Sequence, residues 1–570
     1  MLCPQCGAQW QLPQNFTKIM KSCPFCGADM LTALPEMNTI EDVLREIVSR
    51  FGIQVLQDGE NLISLFSDLA PKLTKEKWLL EFFIECNMHV NLLSMQTASE
   101  SERVAAYQNQ LQEMTEKIAV VYNRILDGIG IRIESTDAKP VAACGKYEYS
   151  DFGDGSIELT AYIGQIQEDI VFPAEYDGKK VVSLAGTILG SSKKKDSDRA
   201  NVKSIYIPTG VTDIGNAAFQ GCTSLTKVVL PDTLLNIGAE AFKKCKLLNN
   251  VVLPDRLVSI GKGAFSWCGL SSITIPPEIT IIAEETFKNC RALANVSLPN
   301  SLVSIKDNAF NDCKSLAKIV FPNSIATIGS NAFEGCKALS KLLLPAGVKS
   351  IGDNAFSGCE SLTSVSIPNT ISVLGSGVFS SCKALHSVSL PDGMKSIPYS
   401  TFERCSALTD ISLPDSIISI GDCAFEYCSS LPAISLPSKV VSIGSSAFSG
   451  CEMLTQIALP EGIKNIESYT FSGCDLLSEI SIPAGLTTIG YDAFYYCKNL
   501  TTISLPEGLI SIGSDAFEYC TSLKQITLPK SITSIAKDAF SHCEGLTIHC
   551  YKDSCAHTYA EKNKLRYEII

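Results

Sequence analysis

Four cysteines near the start of the 570-residue chain have the spacing that reads most directly as chemistry. Cys3-Pro4-Gln5-Cys6-Gly7 and Cys23-Pro24-Phe25-Cys26-Gly27 form C-x2-C-x16-C-x2-C. Each turn presents two sulfurs, and four thiolates at this spacing suit one tetrahedral Zn2+. The Gly after each pair relaxes the turn behind the ligands. Two disulfides or a redox pair are the alternatives. With Cys3, Cys6, Cys23 and Cys26 filling all four positions, none is left for a reacting water. The expected metal is therefore a single structural zinc.

Other reactive residues are sparse. The five histidines are His89, His386, His542, His549 and His557, and the last three lie near Cys543, Cys550 and Cys555. A second metal site there is the weaker reading, because His542 and Cys543 fall in ordinary columns of a repeat. No phosphate loop, nucleophile elbow or carboxylate pair stands out, and no enzyme is expected.

The repeat is the main organising element. A 23-residue unit recurs fifteen times from about Ile205 to Leu546. One copy reads LTSVSIPNTISVLGSGVFSSCKA from Leu362 to Ala384. A Phe column runs from Phe219 to Phe540, and each Phe is followed three residues later by a Cys, from Cys222 to Cys543. A fixed period of this size predicts a solenoid whose units bury their apolar sides only by stacking. The L-x-x-I-x-L-P segment alternates as a strand does, and its Pro marks a corner. A second short alternation follows, as in Thr327-Ile328, and then G-x-x-A-F-x-x-C, too short for a regular helix. Two short strands and a tight irregular return are expected per coil. The Gly column holds Ala283, Lys306, Pro398, Glu467 and Ala536 in other coils. Pro398 requires negative φ, so this Gly serves close packing and not a left-handed backbone. Phe should form the spine, each burial worth roughly 1.5–3 kcal/mol. The column Cys reads as a small buried thiol. In-register side chains sit too far apart for rung-to-rung disulfides. One coil is a residue short, and the deletion falls just after Cys268.

These L-x-x-I-x-L-P, I-G-x-x-A-F and C-x-x-L segments resemble the BspA-type leucine-rich repeats. The flanks resemble that family's entry coil (Gly145-Lys146-Tyr147 to Phe172-Pro173 and Tyr176-Asp177-Gly178-Lys179) and its closing cap (Thr558 to Asn563). The resemblance implies a right-handed solenoid used for binding, and many relatives are surface adhesins. The N-terminal cysteines resemble a zinc ribbon. From Asn38 to Ile133 the apolar spacing is helical, with candidates at 39–50, 59–69, 75–94 and 100–128. Its stretch LISLFSDLAPKLTKEKWLLEFFIECN resembles a helical module joined to zinc ribbons, chaperone-like or repeat domains in bacterial regulatory proteins. The expected fold is multidomain: a zinc ribbon at 1–30, a small α-helical bundle at 37–133, and a β-rich leucine-rich-repeat solenoid at 141–570 with entry coil and C-terminal cap.

Composition narrows the function. A net charge of −13 without a basic stripe argues against nucleic-acid binding. No apolar run approaches the length of a membrane span, so no membrane insertion is expected. No signal peptide precedes Cys3, which points to the cytoplasm. The 24 cysteines are then metal ligands or reduced core thiols.

Two surface features break the repeat's uniformity. The outward strand position is Val229, Val252, Thr274, Ser297, Val320 and Leu343 early, then Ser366, Ser389, Ser412, Ser435, Ala458, Ser481 and Ser504. Tyrosines gather late, at Tyr427, Tyr491, Tyr495, Tyr496 and Tyr519, with Tyr496 and Tyr519 in one column of adjacent coils. Stacking should set those two side by side, with Tyr491 and Tyr495 extending the ledge. Tyr and Trp are enriched in interface hot spots, so these five are the candidate partner-binding residues. The expected function is a non-catalytic protein-binding scaffold. Its rivals are a BspA-type surface or secreted adhesin and a regulatory subunit acting through the helical domain. The sequence names neither the partner nor an oligomeric state.

Overall fold

The computed structural model describes residues 145–186, 188–189 and 199–570. The zinc ribbon expected at 1–30, the helical bundle expected at 37–133 and the basic run at Lys193–Lys195 lie outside the described residues.

Every regular coil turns through the same path. A short strand or bridge comes first in all but the coil at 250–252, such as Ser364–Ser366 or Ser387–Ser389, pairing in parallel with counterparts in neighbouring coils. The register is zero: Ser366 faces Ser389, which faces Ser412. The corner Pro then begins a turn, as where Leu234 N–H donates to the Pro231 carbonyl at 3.1 Å. A two-residue strand follows, Thr327–Ile328 pairing with Ser350–Ile351. The return is irregular but hydrogen-bonded. Alternate residues donate to the next coil, Asp492 to Ser514 O, Phe494 to Ala516 O and Tyr496 to Glu518 O, while Tyr495 and Cys497 close local turns. This alternation places two residues per coil in left-handed backbone, two before and two after the Phe in most coils. In the short coil the turn after Cys268 is absent, and Gly269 lies against Lys246, whose carbonyl O would be 2.3 Å from an added Cβ.

The Gly that follows the second strand behaves as its substitutions imply. At Gly352 and Gly490 φ lies outside the left-handed region, and an added Cβ would meet the preceding coil's backbone at 2.5 and 2.7 Å. Close approach of backbones is its role.

The fifteen Phe rings are at most 2% exposed. Consecutive centroids are 5.1 to 6.0 Å apart, most of them stacked in parallel. Phe172 adds a rung from the entry coil, 6.0 Å from Phe219. Beyond it, β1 (Lys146–Asp151) and β2 (Ser156–Ile163) form an antiparallel hairpin whose Tyr147 and Tyr162 close the front of the core. At the far end α1 (Cys555–Lys562), capped by Ser554, sets buried Tyr559 edge-on to Phe540 at 6.0 Å. Its hydroxyl donates to the Lys537 carbonyl, and Arg566–Ile569 then pairs with Thr547–Cys550.

The column cysteines are buried and free. From Cys245 to Cys543 each thiol donates to the carbonyl of the Phe one coil before it, as in Cys268 Sγ to Phe242 O at 3.0 Å and Cys359 Sγ to Phe333 O at 3.5 Å. The same Phe242 carbonyl accepts Cys245 N–H at 3.1 Å, so both of its lone pairs are used. A thiol is thus a small apolar group that still serves a buried acceptor. Burial pushes the Cys382 and Cys451 thiols up to about 12. With so little thiolate, the column cysteines should resist a thiol reagent at pH 8 in the native state and react fully in denaturant. Mass-spectrometric counting of labelled thiols checks this, and rapid native labelling of most of the column would contradict it.

Candidate interaction surface

Two residues after the Phe, the return segment has a position where several coils place rings. Two residues after each Phe the backbone is left-handed in every regular coil, from Gly221 at φ 78° to His542 at 59°. Five coils fill it with Gly: Gly221, Gly335, Gly358, Gly450 and Gly473. Others place there Trp267 (φ 63°), Tyr427 (57°), Tyr496 (64°) and Tyr519 (59°). For a bulky L-residue this conformation costs about 1–2 kcal/mol relative to right-handed backbone.

Register converts that column into a ledge. Tyr496 and Tyr519 lie with centroids 4.9 Å apart, as their spacing predicts. His542 stacks on Tyr519 at 4.5 Å with planes 3° apart. Half-buried Tyr495 touches both tyrosines, at 5.2 and 6.0 Å. Tyr491 does not extend this ledge. It pairs edge-on with Tyr469 at 5.1 Å, and a side-chain hydrogen bond with Tyr469 is the main cause that pushes its hydroxyl up to about 12. It follows the Gly column, on an earlier part of the return. Tyr427 stands three coils away, with the Arg404 guanidinium 5.7 Å from its ring. Of the five candidate residues, the structure therefore gathers Tyr495, Tyr496 and Tyr519 and leaves Tyr491 and Tyr427 apart.

Sequence reasoning missed His542 and a column of three aspartates. His542 occupies the Tyr496 and Tyr519 column, a signal that was readable. Asp492, Asp515 and Asp538 likewise stack at 23-residue intervals, two residues before the Phe. Asp492 is 8% exposed, and its Oδ1 has no hydrogen-bond partner. Burial, then the Asp515 charge, pushes its carboxyl up to about 6. Asp515 and Glu518 are raised too, each by burial first, then by Asp538 and Asp515 respectively. Among the described residues, the basic group within 4 Å of these four carboxylates is His542, 3.7 Å from Glu518. A groove of about 500 Å3 opens beside the ledge between the last coil and α1, bordered by Asp538, His542, Glu544 and Tyr559.

The sheet face offers a different surface. The late serines and Ala458 are exposed and small. Val320 and Leu343, in adjacent coils, are 64% and 82% exposed. Cys3, Cys6, Cys23 and Cys26 lie outside the described residues. Among the described residues no group of three or more His, Cys, Asp or Glu is arranged to hold a metal, and no helix is long and apolar enough to cross a membrane.

Comparison with known proteins agrees with this architecture. No curated protein matches the chain significantly. The chain is similar to a leucine-rich repeat protein from Bacteroides ovatus, at 28% identity over 76% of this chain and 100% of that one, with TM-score 0.50. It is also similar to a leucine rich cell surface protein from Faecalibacterium prausnitzii, at 25% identity over 75% and 98%, with TM-score 0.35. The model of the BspA type leucine rich repeat region matches residues 197–317, 327–451 and 419–547, in six copies. With more than half of its residues matched, the chain belongs to the BspA-type leucine-rich repeat family.

Proposed function

We propose that this protein is a non-catalytic protein-binding scaffold whose recognition surface is the ledge of Tyr495, Tyr496, Tyr519 and His542. The observation that carries this is the retention of rings in left-handed backbone, at a position that five coils fill with Gly and five others with Lys244, Asn289, Asp312, Ser381 or Arg404. A scaffold needing only to close its turns would be more stable with Gly. Rings also lose little side-chain entropy on binding, and their amphipathic edges tolerate water when free.

The double variant Tyr496→Gly with Tyr519→Gly is the test, since Gly fits the backbone conformation of this column. Binders selected from a displayed protein library against the full chain should lose at least about tenfold in affinity, or 1.4 kcal/mol, on the variant. Its melting temperature should not fall. Selected binders that keep full affinity for the variant and lose it on Leu343→Ser would overturn the ledge and move recognition to the sheet face.

The N-terminal cysteines have the donor set of a structural zinc site, and we expect one equivalent of zinc per chain at Cys3, Cys6, Cys23 and Cys26. Cys6→Ser should abolish stoichiometric zinc in elemental analysis while leaving the solenoid's thermal transition in place. Freshly purified, metal-replete protein without zinc would contradict this.

A further inference from the structure

The ledge has a charged floor, and the two together define a ligand chemistry. Glu518 immediately precedes Tyr519, and Asp515 and Asp538 occupy the same column in consecutive coils. Tyr495 joins the parts. Its ring packs on Tyr496 and Tyr519, and its hydroxyl is raised first by burial and then by the Glu518 charge. Of the lysines nearby, Lys498 pairs with Asp475 at 2.9 Å and also lies against the Tyr496 ring, Lys524 donates to the carbonyls of Thr521 and Glu544, and Lys537 borders the groove beside Asp538. Asp492 adds a buried carboxylate oxygen that no donor satisfies. A surface that gathers several part-buried carboxylates, with His542 as the basic group within 4 Å of them among the described residues, is poised for a cation from outside.

The column's rings already accept cations from the chain itself. The guanidinium of Arg291 lies 5.5 Å from the Trp267 ring and that of Arg404 lies 5.7 Å from Tyr427, while the Lys498 ammonium is 4.4 Å from Tyr496. At two of these three positions the cation is a guanidinium, which stacks on a ring and keeps its in-plane donors free for a carboxylate.

We propose, resting on the reading of the ledge as a binding surface, that its ligand is an arginine-bearing segment of a protein partner. One guanidinium would lie against Tyr495 and pair with Glu518 and Asp515. His542, beside Glu518, marks the end of the site toward the groove at α1.

The test uses the full chain and a fluorescent hexaarginine peptide, with hexalysine of equal charge as comparison, read by anisotropy at about physiological salt. Hexaarginine should bind at least tenfold tighter than hexalysine. Asp515→Asn with Glu518→Gln should weaken hexaarginine at least tenfold. Folding should hold, because Asn308, Asn331 and Asn354 already occupy the Asp515 column in other coils. A control pair in early coils, Asp255→Asn with Glu278→Gln, removes the same charge and should change affinity less than twofold. Equal loss in both pairs, or equal binding of the two peptides, would mean general attraction to an acidic chain and would overturn the proposal. Library-selected binders that fail on Tyr496→Gly with Tyr519→Gly but bind Asp515→Asn with Glu518→Gln normally would overturn the arginine ligand and leave the scaffold reading standing. Binders indifferent to both variants would sink both.

Discussion

Phe356→Ala should destabilise the solenoid by about 3–5 kcal/mol, the largest effect expected of a single side-chain truncation here. Phe356 is fully buried, with Phe333 at 5.4 Å and Phe379 at 5.9 Å on its two faces and both neighbours nearly parallel to it. Truncation removes the ring and leaves a void that both adjacent coils line. The coils are poorly placed to collapse into it. Phe356 N–H donates to Val378 O at 3.0 Å, and its carbonyl accepts from both Cys359 N and Cys382 Sγ, so the backbone is pinned from three directions. Stability in a stacked array is a sum of coil and interface terms, and this change weakens one coil and two interfaces. Denaturant melts of the full chain should therefore show a lower midpoint and a broadened or divided transition, as the two halves lose their coupling. A loss below about 1 kcal/mol would remove Phe from the spine.

The Phe spine was legible because a hydrophobic column at a fixed period has one economical solution. In-register stacking turns a column in sequence into a column in space, so burial of Phe356 or side-by-side placement of Tyr496 and Tyr519 follows from spacing alone. The structure also agrees with the close-packing role of Gly352, inferred from Pro398 in its column. What spacing could not supply is the path of the return. Two left-handed residues per coil arise because alternate N–H groups must reach the next coil while the others close local turns. Their columns mix Gly with Lys, Asn, Ser and Tyr, so no composition rule exposes them. The position of Tyr491 was misjudged for that reason: membership of the same coil as Tyr496 does not place two side chains on the same side of the turn. The thiol-to-carbonyl ladder was equally hidden, because it depends on the offset between one coil's Cys and the previous coil's Phe carbonyl.

That return geometry leads to a prediction with an unusual sign. Asp492→Asn should stabilise the C-terminal coils near pH 7, on the order of 1–3 kcal/mol, and the gain should disappear in acid. Asp492 is buried in left-handed backbone at φ 53°, and burial, then the Asp515 charge, pushes its carboxyl up to about 6 from its ordinary 3.8. A carboxyl whose folded value is raised binds its proton more tightly in the native state. The native protein is therefore favoured as pH falls through about 6, and the contribution levels off below the unfolded value. Above about 6 the charge is present in both states and burdens only the folded one. Asn mimics the protonated form at every pH, so the variant should gain most above 6 and match the parent below about 4. Its backbone is also suited to the site, since Asn308, Asn331 and Asn354 occupy the same column with φ of 57°, 54° and 54°. Hydrogen exchange of residues 480–545 at pH 7 and pH 4 measures both limits. A variant that is less stable at pH 7, or whose gain persists unchanged at pH 4, would show that Asp492 is held by an interaction requiring its charge. The stabilised protein should also bind hexaarginine more weakly. A carboxylate that lowers stability while supplying field to an exposed ledge is the kind of residue a binding surface retains at the expense of its fold.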